Sequence, residues 1–188
     1  MDSGPPYERD DCPVPNEGDA AASPHFAPWV EPIALALREG RAALRDVAAA
    51  IPDAAWRLPS PAKGRTYQDL LAHVAVSQWL CQTLLAPLII DRNRPFKTLS
   101  GSDVVKSASA VLEEEQRARS IPELLREVAT EGDDTEALLA KLNEADDERR
   151  DGRRGTTLSD YLRQVVEHDR RHLIQLRTAL ESRPAIRH

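Results

Sequence analysis

Val165-Val166-Glu167-His168-Asp169-Arg170-Arg171-His172-Leu173-Ile174 sets two histidines in an H-x-x-x-H spacing inside an apolar repeat. Around it Leu158, Leu162, Val165, His172, Leu176 and Ala179 recur at intervals of three and four, with His168 or Asp169 filling the remaining position. That period is an amphipathic α-helix, and the histidines lie on its buried stripe rather than its wet face. Four residues advance a helix by about 6 Å, a little over one turn, so both imidazoles leave the same side. Thr157 with Asp160 three residues on marks the start, and Pro184 marks the close.

An earlier segment has the same character. Thr66-Tyr67-Gln68-Asp69 has the form of a capping box with Asp in place of Glu, and it opens a stripe of Leu70, His73, Ser77, Leu80 and Leu84, with Val74 and Cys81 alongside. His73 is therefore on an inner face as well. Pro87 is expected to kink or end this helix. Of the other histidines, His25 and His188 fall in polar or terminal segments.

Two more helices complete a bundle. Ile33, Leu37, Leu44, Val47 and Ile51 form one stripe from about Pro32 to Ala50, with Gly40 at the missing position and Pro52 as the stop. Trp56 and Leu58, between Pro52 and Pro59, read as a connector packed back on the bundle. Ser120-Ile121-Pro122-Glu123 is a strong start signal. It precedes a stripe of Ile121, Leu125, Val128, Thr135, Leu139 and Leu142, which Gly132 interrupts at roughly 1 kcal/mol relative to Ala. Asp91–Gly101 reads as irregular, and Asp103–Arg119 as room for a short helix. The segment from Asn143 to Gly155 reads as a solvated loop, its Arg149, Arg150, Arg153 and Arg154 balanced by Asp146, Asp147, Glu148 and Asp151, with anion binding by the arginines as the lesser reading.

Composition agrees with an all-α domain. The chain has 188 residues and is dominated by Ala, Leu, Arg and Glu, with few aromatics. Residues 1–28 are rich in Pro, Gly, Asp, Glu and Ala and read as a disordered tail; 29–182 form the bundle; 183–188 are a short C-terminal tail. The net charge of -6 argues against a nucleic-acid binder. No run of about 18 apolar residues stands out, so no membrane span is expected, and the N-terminus lacks a signal-peptide pattern. Cys12 and Cys81 are the only cysteines; with one in the tail and one on a helix, no structural disulfide is expected, and a reducing, cytoplasmic setting fits.

The chemistry turns on three inward histidines. An H-x-x-x-H on an amphipathic helix arises readily by chance, and a single inward histidine is more often a hydrogen-bonded core residue. Two inner faces of one small bundle are forced together, however, and three neutral imidazoles can hold Zn, Ni, Fe or Mn while leaving coordination positions open. Asp69, four residues before His73, is the expected acceptor for its far ring nitrogen, and Glu167 and Asp169 flank His168. Cys81 reads as packing rather than as a nucleophile.

Gly64-Arg65-Thr66-Tyr67-Gln68-Asp69-Leu70-Leu71-Ala72-His73-Val74 resembles the second-helix signature of the DinB-like superfamily, which also contains thiol transferases for bacillithiol and mycothiol. Leu158-Ser159-Asp160-Tyr161-Leu162, then His168-Asp169-Arg170-Arg171-His172-Leu173-Ile174-Gln175-Leu176, resembles its closing helix, and Trp56-Arg57-Leu58-Pro59 is similar to the link between its first two helices. The resemblance covers about residues 30 to 182. It implies a four-helix bundle in up-down-down-up order, with a long crossover between helices 2 and 3, and ligation of a divalent metal ion by His73, His168 and His172. The family often has Trp-Ser where this chain has Thr66 or Tyr67, and the tail has no counterpart. Two functions follow as expectations. One is a metal-dependent thiol S-transferase or hydrolase acting on a small molecule such as a low-molecular-weight thiol. The other is a non-catalytic stress-response or ligand-binding module, acting as a homodimer. Neither involves nucleic acid or membrane.

Overall fold

A computed structural model describes residues 24–97, 103–152 and 155–181, the side chains of 103–108 aside. Five α-helices account for most of them: α1 (Glu31–Ala50), α2 (Tyr67–Ile90), α3 (Asp103–Arg117), α4 (Ile121–Leu139) and α5 (Leu158–Glu181). Among the described residues there is no strand, only isolated bridges pairing Pro59 with Thr66 and Arg150 with Thr157. The fold is all-α. Cys12, His188, Arg153, Arg154 and Pro184, with most of the N-terminal tail, lie outside the described residues.

Local chemistry sets the helix starts. The Asp69 N–H donates to Thr66 Oγ1 at 3.2 Å while the Thr66 N–H donates to Asp69 Oδ2 at 2.7 Å. This reciprocal box satisfies two of the donors that a helix start leaves open. The Glu123 carboxylate accepts from the Ser120 N–H at the head of α4, and Thr157 Oγ1 accepts from the Asp160 N–H at the head of α5. Pro87 does not end α2. The helix runs on to Ile90: the Asp91 N–H donates to the Pro87 carbonyl, and burial of Leu84, Leu85 and Leu88 offsets the bond that proline cannot make.

Helix α2 is the spine: α3, α4 and α5 all pack on it, while α1 packs on α4 and α5. Gln68, early in α2, donates to the Arg117 and Arg119 carbonyls just before α4, and Gln82 further on reaches Glu131. Tyr67, at the head of α2, shares a hydrogen bond with Thr178 near the end of α5. Contrary to the sequence expectation, α2 is long and apolar enough to cross a membrane by length and composition. Its position accounts for that character, since a helix covered by three neighbours is apolar on most of its circumference.

The core has two parts. One gathers Leu44, Val47, Trp56, Leu70, Val74, Leu124, Val128, Leu173 and Leu176. The other gathers Trp29, Ile33, Leu37, Cys81, Leu85, Phe96, Leu139, Leu158 and Leu162, with Phe26 and Ala27, inside the segment read as tail, packed against it. Trp56 is buried as expected, but Leu58 is exposed at 39%, so only one of the two connector residues packs back.

The loop after α4 differs from its reading. Asp146 is buried and takes an ion pair from Arg92, another from Arg149 at 3.1 Å, and the Asn143 N–H at 2.9 Å. Arg149 also donates to the Leu88 and Arg94 carbonyls. The loop is thus tied to the end of α2 rather than solvated throughout. Gly132 also has a positive role. A side-chain carbon there would collide with Arg41, whose guanidinium crosses the notch to pair with Glu136.

Candidate metal centre

His73 on α2 and His168 and His172 on α5 face one another between the two apolar cores. Four-residue spacing on α5 sets two of the rings edge to face, and the packing of α2 on α5 supplies the third. The Nε2 atoms of His73 and His168 are 3.2 Å apart, and those of His172 and His168 are 3.1 Å apart. One nitrogen from each ring fits within a 4.8 Å span. All three rings are partly exposed, so the cluster is reached from solvent.

Each opposite nitrogen has an oxygen partner. His73 Nδ1 lies 2.7 Å from Glu113 Oε1, His172 Nδ1 lies 2.8 Å from Gln175 Oε1, and His168 Nδ1 lies 3.3 Å from Asp169 Oδ1. An ionised carboxylate and an amide oxygen accept only, so each Nδ1 is the protonated, donating nitrogen. In a neutral ring so held, Nε2 is the nitrogen that carries the lone pair, and the three Nε2 atoms point at one space. Nε2 atoms 3.1–3.2 Å apart are satisfied either by a proton on one of the pair or by a cation held between them. Tetrahedral ligation with metal–nitrogen bonds of 2.0–2.1 Å needs nitrogens about 3.3 Å apart. The donor set therefore fits a divalent metal ion.

Electrostatics point the same way. Burial, then the neighbouring His168 and His73, push the His172 imidazole down to about 4, so it is neutral and able to ligate at neutral pH. Burial alone would raise the Glu113 carboxyl. The His73 hydrogen bond and the Arg65 and Arg117 charges outweigh it and hold Glu113 below its usual range.

Glu113 is the partner that sequence reasoning missed, and Asp69 is not where it was expected. The Asp69 carboxylate is taken by the Thr66 cap and by Arg117 at 2.9 Å. Glu113 comes instead from α3, 40 residues away in sequence, and its second oxygen accepts from Arg65 at 2.8 Å. The Gly64 turn, at φ +79°, sets Arg65 in place. Asp169 does partner His168, whereas Glu167 is exposed and pairs with Arg170. Cys81 is buried and its thiol is pushed up to about 12 by burial, so it packs and is no nucleophile.

The model of one protein family, the DinB superfamily, matches residues 36–176. No curated protein and no solved structure matches the chain. The match spans α1 to α5 with all three histidines, and the chain belongs to the DinB superfamily.

Proposed function

We propose that His73, His168 and His172 hold one divalent metal ion and that the protein is a metal-dependent enzyme, a thiol S-transferase or a hydrolase acting on a small molecule. The observation that carries this reading is the convergence of three Nε2 atoms, each ring held by an oxygen partner on its far side. The frame fits the family's up-down-down-up order, with α1, α2, α4 and α5 as the four helices and 91–120 as the crossover that brings α3 over α2.

When bound, the ion supplies Lewis acidity that lowers the pKa of a thiol or water in its open position. The protein's own residues do the rest. Glu113 and Asp169 orient two of the rings and raise their basicity, and Gln175 orients the third. Arg65 neutralises Glu113 and keeps it on His73. Partial exposure of the three rings leaves a side from which a small thiol can approach. Neither chemistry needs a serine or cysteine nucleophile, and the described site offers none: Cys81 is buried outside it, and Ser77 donates to the His73 carbonyl.

The test starts with elemental analysis of protein purified without chelator and reloaded with Zn, Ni, Fe or Mn. One equivalent per chain is expected. A content far below one after reloading overturns the metal. Loaded protein is then assayed with low-molecular-weight thiols and electrophilic acceptors, and with activated esters or amides for hydrolysis. Metal binding with no turnover in either assay would leave a binding module and overturn the enzyme.

A further inference from the structure

Gly40 sits on the inner stripe of α1, where Ala would favour the helix, yet a side-chain carbon there meets nothing within 4 Å. No close approach requires this glycine, in contrast with Gly132. It borders open space on two sides. A groove of about 390 Å³ between α1 and α5 runs past Gly40 to Asp169, and a small cavity of about 10 Å³ beyond it is bordered by Gly40, Asp169 and Gln78. Gln78, on α2, is only 4% exposed, and its Oε1 is buried without a hydrogen-bond partner. A buried acceptor left unpaired is costly, and a space of about 10–15 Å³ between polar groups is the size that holds one water.

We propose that the groove past Gly40 is a water path into the bundle, ending in a bound water that donates one hydrogen to Gln78 Oε1 and the other to the Asp169 carboxylate. Asp169 Oδ1 faces His168 Nδ1 at 3.3 Å, a loose contact that a second hydrogen bond to the carboxylate would steady. Gln78 is thus a positioning residue. It acts through water and Asp169 on His168, from the side of the bundle where α1 packs. The absence of a side chain at position 40 keeps the path open. The link to His168 rests on the metal reading above, whereas the water site does not.

Two measurements test the proposal. The first is a high-resolution crystal structure of the full chain without added metal. It should show an ordered water within hydrogen-bond distance of both Gln78 Oε1 and Asp169, and a dry cavity overturns the water site whatever the metal result. The second is the dissociation constant for Zn by chelator competition in wild type, Gly40→Leu and Gln78→Leu. Each variant is expected to bind Zn about tenfold more weakly, the lower end of the loss seen when an outer partner of a ligand is removed. A purely structural glycine predicts the reverse for Gly40→Leu: a higher melting temperature from helix propensity and apolar filling, with Zn affinity unchanged. Unchanged affinity in both variants overturns the link to His168. Absence of Zn binding in the wild type would instead be a failure of the metal reading, and the crystal structure would still decide the water.

Discussion

The cluster around Asp146 and the cluster around the histidines are both polar, both at least partly buried, and built on opposite principles. At Asp146 every acceptor meets a donor: Arg92, Arg149 and the Asn143 N–H close on one carboxylate. At the histidines three Nε2 atoms meet one another, and the opposite ring nitrogens all point outward to Glu113, Asp169 and Gln175. The first arrangement is complete in the protein alone and serves the fold. The second gathers three nitrogens that could together hold a cation, so it is suited to binding. Burial does not separate a structural polar cluster from a functional one; the direction of its donors does.

The largest expected break in this contrast is His172→Gln. It keeps most of the side-chain volume but removes one of three lone pairs. Metal affinity should fall at least a hundredfold, about 2.7 kcal/mol, so the rise in melting temperature that metal gives the wild type should disappear. An equal rise in both proteins would remove His172 from the site. Asp146→Ala should do the opposite. It strands Arg92 and the mostly buried Arg149, costing about 2–3 kcal/mol of stability while leaving metal affinity unchanged. Chemical denaturation with and without metal separates the two effects.

The same aspartate predicts a pH signature. Burial would raise its pKa, but the Asn143 N–H, Arg92 and Arg149 together hold it below the usual carboxylate value. A depressed folded pKa means the stabilisation is fully present above the unfolded value, about 3.9, and is lost as pH falls through the folded value below it. Unfolding curves from pH 6 down to pH 2 should therefore show a weaker acid dependence in Asp146→Ala than in wild type. Identical acid limbs would mean that Asp146 is not the titrating lock.

A smaller effect belongs to Glu113→Gln. The amide can still accept from His73 but no longer carries charge, and its Arg65 partner is left uncompensated. Metal should bind about tenfold more weakly, roughly 1.4 kcal/mol, with little change in the stability of the metal-free protein. Chelator competition checks the first and thermal melting the second. The smallest change is Gly132→Ala, which must displace Arg41 from Glu136 and should cost about 1 kcal/mol despite the gain in helix propensity. A stabilised Gly132→Ala would show that Arg41 yields freely.

The contrast also marks what was legible in the chain. The stripes of α1, α2 and α5 and the caps at Thr66, Ser120 and Thr157 could be read directly, because period and capping chemistry are local. The inward face of all three histidines followed from the same periods. Glu113 did not, because its place depends on where the crossover sets α3, which no local pattern encodes. Asp69 was the plausible acceptor by spacing, but the cap claimed it first. Asp146 escaped for a related reason. An acid in a charged loop has the same sequence signature whether water or two arginines surround it. The apolar character of α2 was underread because Ser77, Gln78 and Gln82 break the run, yet three neighbouring helices cover it.

The pairing of His73 with His168 joins points 95 residues apart along the chain. In polymer terms an ion shared between them is a cross-link that closes half the molecule into a ring. Such an ion would bind the folded arrangement and not the unfolded chain, so it would have to be given up before the two points could separate, and the fold would gain in proportion to how tightly it is held. Cys81, the described cysteine, makes no disulfide, so the histidine knot is where this chain can be tied off.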